Sequence, residues 1–157
     1  MTVFRTLSKS RWGAHRWIAF AAASWALIFG IFHVLWASGR YVGLDAEQAR
    51  IAFARPWFLV YDLVVAAMCV IAVPVALALG MPWGRRVSRR VLGFLAWTGT
   101  ILLGLRSCAS LIQTGYLMAV GRFSLRDFGI WEPWFYLGAF LFAVSTWQYS
   151  KRQPGRP

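Results

Sequence analysis

The chain has 157 residues, of which 59% are hydrophobic and only 14% charged, and it carries 10 tryptophans and a net charge of +12. With a mean hydropathy of +0.55, this composition excludes an ordinary soluble domain. The basic residues sit in short runs between apolar segments, so the charge reads as topogenic charge at membrane edges and excludes a nucleic-acid-binding face.

Residues 1–15 form a short basic tail with Arg5, Lys9 and Arg11. The first apolar run, 16–39, is too long for the hydrophobic core of a signal peptide and ends in Trp36-Ala37-Ser38-Gly39 without a convincing cleavage site. It is read as a retained membrane span. A polar loop with Asp45 and Glu47 follows, in which 46–54 is expected to form a short interfacial helix. Pro56-Trp57-Phe58 opens the second span, 57–80, because proline suits a first helical turn and tryptophan the membrane boundary. Pro74 lies inside this span and is expected to kink it. A tight loop with Arg85, Arg86, Arg89 and Arg90 leads to the third span, 91–114. A second loop, 121–130, carries Arg122, Arg126 and Asp127, and the fourth span is 131–149, followed by a basic tail, 150–157. Arg55-Pro56-Trp57-Phe58 and Glu132-Pro133-Trp134-Phe135 echo one another, which is read as one boundary chemistry used twice.

Each run approaches the ~20 apolar residues that a helix needs to cross a bilayer. The expected fold is an all-α membrane protein, a four-transmembrane-helix bundle. Eleven Lys and Arg lie in the two tails and the middle loop, against five in the other two loops. The positive-inside rule then places both termini in the cytoplasm. The 2 cysteines, Cys69 and Cys108, lie in apolar runs without a C-x-x-C spacing, so no disulfide framework, cofactor or metal centre is expected.

All 5 acids fall in the outward half of the chain, and each span contributes one ionisable residue: His33, Asp62, Arg106 and Glu132. At about 1.5 Å per residue, His33, Asp62 and Arg106 lie roughly 8–9 Å below the outer boundary, with Glu132 at or just under it. A charged group inside a membrane requires a partner and marks a functional site by default. Trp36, Gln113 and Tyr116 lie near the same level, and Ser110 shares a helical face with Arg106. Together they predict a polar pocket between the helices, open to the outer side. Arg106 with Asp62 is the expected ion pair, and His33 is expected to hydrogen-bond either Glu132 or a backbone carbonyl.

The pattern H-x-x-W-A-x-G, His33 to Gly39, resembles a signature of small four-span bacterial membrane proteins, mainly actinobacterial. The resemblance extends to Arg106, Asp127 and Glu132-Pro133-Trp134-Phe135. It implies the four-span architecture and no particular activity. Three readings follow from the pocket residues His33, Trp36, Asp62, Arg106, Gln113, Tyr116 and Glu132. The first is binding of a lipid-like amphiphile, with Arg106 meeting its polar group. The second is an isomerase- or hydratase-type enzyme in which His33 and Glu132 exchange protons. The third is a structural subunit of a homo-oligomer or larger membrane complex, using Gly30, Gly93, Gly99, Gly104 and Gly138 as close-contact positions. Membrane lipids are the expected surroundings in every case.

Overall fold

A computed structural model describes the backbone of residues 3–123, 129 and 131–151, with side chains from residue 16 onward. Five α-helices account for most of it: α1 (Val3–Ala37), α2 (Ala46–Phe53), α3 (Pro56–Gly80), α4 (Arg89–Ala119) and α5 (Trp131–Lys151). A 3₁₀ turn, Pro82–Arg86, joins α3 to α4. Among the described residues there is no strand. Three helices are long and apolar enough to cross a membrane: Arg16–Ala37 within α1, Pro56–Gly80 and Arg89–Ala119. α5 has 21 residues, enough to cross, but tryptophan, tyrosine, serine and glutamine dilute its hydropathy.

The surface is apolar where a soluble protein would be polar. Leu27, Ile31, Val34, Val60, Val64, Ile71, Phe94, Ile101, Leu105, Ile112 and Phe140 are all exposed. So much contiguous exposed aliphatic and aromatic surface is compatible with hydrocarbon, not with water. The interior is made instead of small residues and a few large rings. Ala22, Ala26, Ala76 and Ala96 are fully buried, and Trp25, Phe29 and Phe142 nearly so. Small side chains let the helix backbones approach, so that dispersion contacts and interhelical hydrogen bonds hold the bundle.

Of the glycines expected at close contacts, Gly30 faces the Cβ of Cys69 and Gly99 approaches the Phe142 ring. Gly138 lies flush against the Trp25 indole, where any added methyl would collide. Gly93 and Gly104 face open space and close no contact in this chain.

The helix boundaries follow local chemistry. α1 stops at Gly39, whose φ of +84° only glycine adopts without strain. The amide of Arg40 donates to the Leu35 carbonyl and that of Gly39 to Trp36, which satisfies the exposed end of the helix. Asp45 caps α2 by accepting from the Gln48 amide. Pro56 occupies the first turn of α3, where its missing N–H costs nothing. α3 then runs on through Pro74 as one helix. α4 continues to Ala119, five residues beyond the expected end of its span, and Gly121, with φ of +67°, turns the chain after it.

α1 packs most extensively on α3, and α4 on α5, with α5 also lying against α1. α3 and α4, although joined by the tight 3₁₀ turn, touch sparsely. The gap between them holds a cavity.

Candidate functional site

The four ionisable residues expected inside the bundle come together as two pairs rather than one cluster. His33 Nδ1 lies 2.6 Å from Asp62 Oδ1, joining α1 to α3. Arg106 donates to both carboxylate oxygens of Glu132, at 3.0 and 3.4 Å, joining α4 to α5. The expected partners are therefore exchanged: Arg106 pairs with Glu132 and not Asp62, and His33 with Asp62 and not Glu132. Helix packing is the physical reason. Each pair spans two helices in close contact, whereas an Arg106–Asp62 bridge would have to cross the open gap between α3 and α4.

Aromatic rings link the two pairs. The Phe29 ring meets His33 edge-on at 4.5 Å and Phe135 edge-on at 5.1 Å between centroids. The Arg106 guanidinium carbon in turn sits 4.4 Å above the Phe135 ring, within the range of a cation–π contact. The rings thus keep the pairs apart while holding them at one level of the bundle.

Glu132 has further partners. The Ser110 hydroxyl hydrogen-bonds the Glu132 carboxylate and also lies 3.0 Å from the Tyr136 hydroxyl. The Ser107 hydroxyl reaches the Phe135 carbonyl at 3.5 Å. Lower in the bundle Thr100 and Thr146 hydroxyls meet at 3.1 Å, and the Trp25 indole donates to the Trp134 carbonyl at 2.9 Å. Glu132, Tyr136 and Thr146 of α5 thus each meet a polar partner on α4, as a polar group away from water requires, whereas Trp134 Nε1 and Ser145 Oγ are buried without one among the described residues.

The H-x-x-W-A-x-G stretch acquires a physical meaning. His33 faces Asp62. Trp36 is buried and its indole donates to the Val42 carbonyl at 2.9 Å, folding the loop back over the end of α1. Gly39 supplies the left-handed turn. Trp131 repeats the clamp from α5, donating to the Gly43 carbonyl at 2.8 Å and packing edge-on against Trp36 at 4.8 Å.

This cavity lies between α3 and α4 and is floored by rings of α1 and α5. Its volume is about 440 Å³, within the roughly 300–1,000 Å³ of small-molecule sites. Tyr61, Val65, Met68, Ala72 and Val75 line it on α3, and Leu95, Leu102, Leu103 and Arg106 on α4, above Trp25, Phe29, Phe135 and Phe142. The rim residues Met68, Ile71, Leu95 and Leu102 are exposed, so the cleft opens sideways from the bundle. Arg106 and Tyr61 stand together at one end and the rest of the lining is almost wholly apolar.

The expected pocket residues thus separate. Arg106 lines the cleft. Its partner Glu132 stands behind it, and His33, Asp62 and Trp36 form the buried wall between α1 and α3. Gln113 and Tyr116 are exposed farther along α4 and join neither pair. Asp127 lies outside the described residues. Sequence reasoning missed Phe29, Phe135 and Tyr136. Their helical spacing is the signal: Phe29 is four residues before His33, Phe135 three after Glu132 and Tyr136 four after it.

Among the described residues no group of three metal-ligating side chains converges. The two cysteines are free, Cys69 buried and Cys108 exposed. Compared with protein-family models, with curated proteins and with solved structures, the chain matches none of them, and a functional reading has to stand on the geometry of this cleft.

Proposed function

We propose that this chain is a four-span membrane protein, with both termini cytoplasmic, that binds a lipid-like amphiphile in the cleft between α3 and α4. The observation that carries the reading is the cleft itself: an apolar groove of about 440 Å³ that ends on the half-exposed guanidinium of Arg106. An apolar wall with one oriented polar end suits a molecule with a hydrocarbon body and a polar head. The sideways opening suits entry from the surrounding lipid.

α5 as the fourth span is supported by its packing along α1 and α4 and by the partners its polar residues find there. The excess of Lys and Arg on the tails and middle loop supports the orientation. Arg106 and Tyr61 then stand toward the outer side, and the cleft takes its ligand from the outer leaflet.

Binding is favoured over proton exchange because His33 and Glu132 do not meet and neither lines the cleft. Mass spectrometry of the protein purified from its membrane should find a co-purifying amphiphile that Arg106→Ala loses. No amphiphile in either preparation would overturn the reading.

A further inference from the structure

We infer that the head of the bound amphiphile is an uncharged hydrogen-bond acceptor, a carbonyl of the ester, ketone or quinone class, and not a phosphate or carboxylate. The inference rests on the amphiphile-binding reading above and adds the chemistry of the head.

The charge of Arg106 is already balanced. Two of its guanidinium nitrogens face the two oxygens of Glu132, at 3.0 and 3.4 Å. The carboxylate is held in place from the other side by Ser110, which is itself braced against Tyr136. Glu132 is therefore an anchored negative charge directly behind the guanidinium. An anionic head reaching Arg106 would arrive within a few ångströms of that carboxylate. In a low-dielectric wall such a repulsion is poorly screened, and no other charged side chain lines the cleft to offset it. A neutral head meets no such cost.

The hydrogen-bonding inventory points the same way. A guanidinium has five N–H donors, and the Glu132 contacts engage only some of them. Tyr61, which carries a hydroxyl, also lines the cleft. Both oxygens of Glu132 are engaged. The open end of the cleft thus offers donors, and its natural complement is an acceptor without charge. The hydrocarbon body has room to extend along the groove: from Tyr61 to Val75 α3 rises about 21 Å, and from Leu95 to Arg106 α4 rises about 17 Å.

Methyl palmitate, hexadecyl phosphate and hexadecane share a tail length and differ in the head. Their binding to the detergent-solubilised full chain can be compared by native mass spectrometry. The ester should bind at least about tenfold more tightly than either the phosphate or the alkane, a difference of about 1.4 kcal/mol. Glu132→Gln keeps an acceptor for Ser110 and removes the charge, and should raise affinity for hexadecyl phosphate by about tenfold. Tyr61→Phe, at an exposed position, should weaken the ester several-fold and leave hexadecane unchanged. A phosphate that binds the unaltered protein as tightly as the ester would overturn the neutral head while leaving the cleft reading intact. So would an ester no better than hexadecane. Failure of all three molecules to bind would instead bring down the amphiphile reading itself. The comparison on the unaltered chain decides the matter even if Glu132→Gln does not fold.

Discussion

His33–Asp62 and Arg106–Glu132 each tie one helix to its neighbour through a basic and an acidic side chain, at the same level of the bundle. Their surroundings differ. The side chains of the first pair are 7% and 3% exposed, those of the second 38% and 20%. The first is closed in by Phe29 and Trp36, the second borders an open cleft. The first also leaves His33 Nε2 and Asp62 Oδ2 buried without a partner among the described residues, whereas both oxygens of Glu132 are engaged. A buried pair of this kind holds helices in register, and breaking it strands a polar group away from water. The pair at the cleft is enclosed on fewer sides and leaves guanidinium donors free to meet a ligand. The two pairs thus divide the work: one locks α1 to α3, and the other presents a guanidinium to the gap between α3 and α4.

The contrast can be broken most directly at the buried pair. His33→Ala leaves the Asp62 carboxyl enclosed and alone, and should cost about 3 kcal/mol of stability, read by denaturation in mixed micelles. A loss no larger than that of Arg106→Ala would erase the distinction. Arg106→Ala should cost less than His33→Ala, because Glu132 keeps its Ser110 hydrogen bond and is the more exposed carboxylate, while reducing amphiphile binding at least about tenfold. A protein that unfolds on losing Arg106 would make the second pair structural as well.

Phe135→Leu sharpens the comparison by removing the ring between the pairs. It should cost about 1 kcal/mol through the lost cation–π and edge contacts. A double-mutant cycle of His33 with Arg106 should be close to additive with the ring present. Strong coupling would mean that the pairs act as one network. The smallest effect is expected at the fully exposed Glu47–Arg50 pair of α2, spaced three residues apart at 2.7 Å. Water screens it, so Glu47→Gln should leave the denaturation midpoint unchanged within error.

The echo between Arg55-Pro56-Trp57-Phe58 and Glu132-Pro133-Trp134-Phe135 shows where sequence reading stops. Both stretches lie at the start of a helix. Trp57 is exposed, as a boundary anchor would be. Trp134 instead stacks on Trp25 at 6.2 Å and its carbonyl takes the Trp25 N–H. The same Pro-Trp-Phe run met different neighbours, and those neighbours decide whether a ring faces lipid or core. Arg106 teaches the same lesson. Its need for a partner followed from its place in an apolar run, but the choice of Glu132 over Asp62 depended on which helices touch.

The positions of the long helices and of the short α2, and the need of the ionisable residues for partners, were legible in the chain. These are local matters: apolar run length, proline and glycine placement, and a fixed rise per residue tie them to residues close in sequence. The exchange of partners, the ring bridge between them and the cleft with Arg106 at its end were decided only by tertiary packing. They arise from pairs as distant along the chain as Arg106 and Glu132 or Trp25 and Trp134, whose meeting depends on the rotation and separation of whole helices, and no periodicity along one segment carries that information.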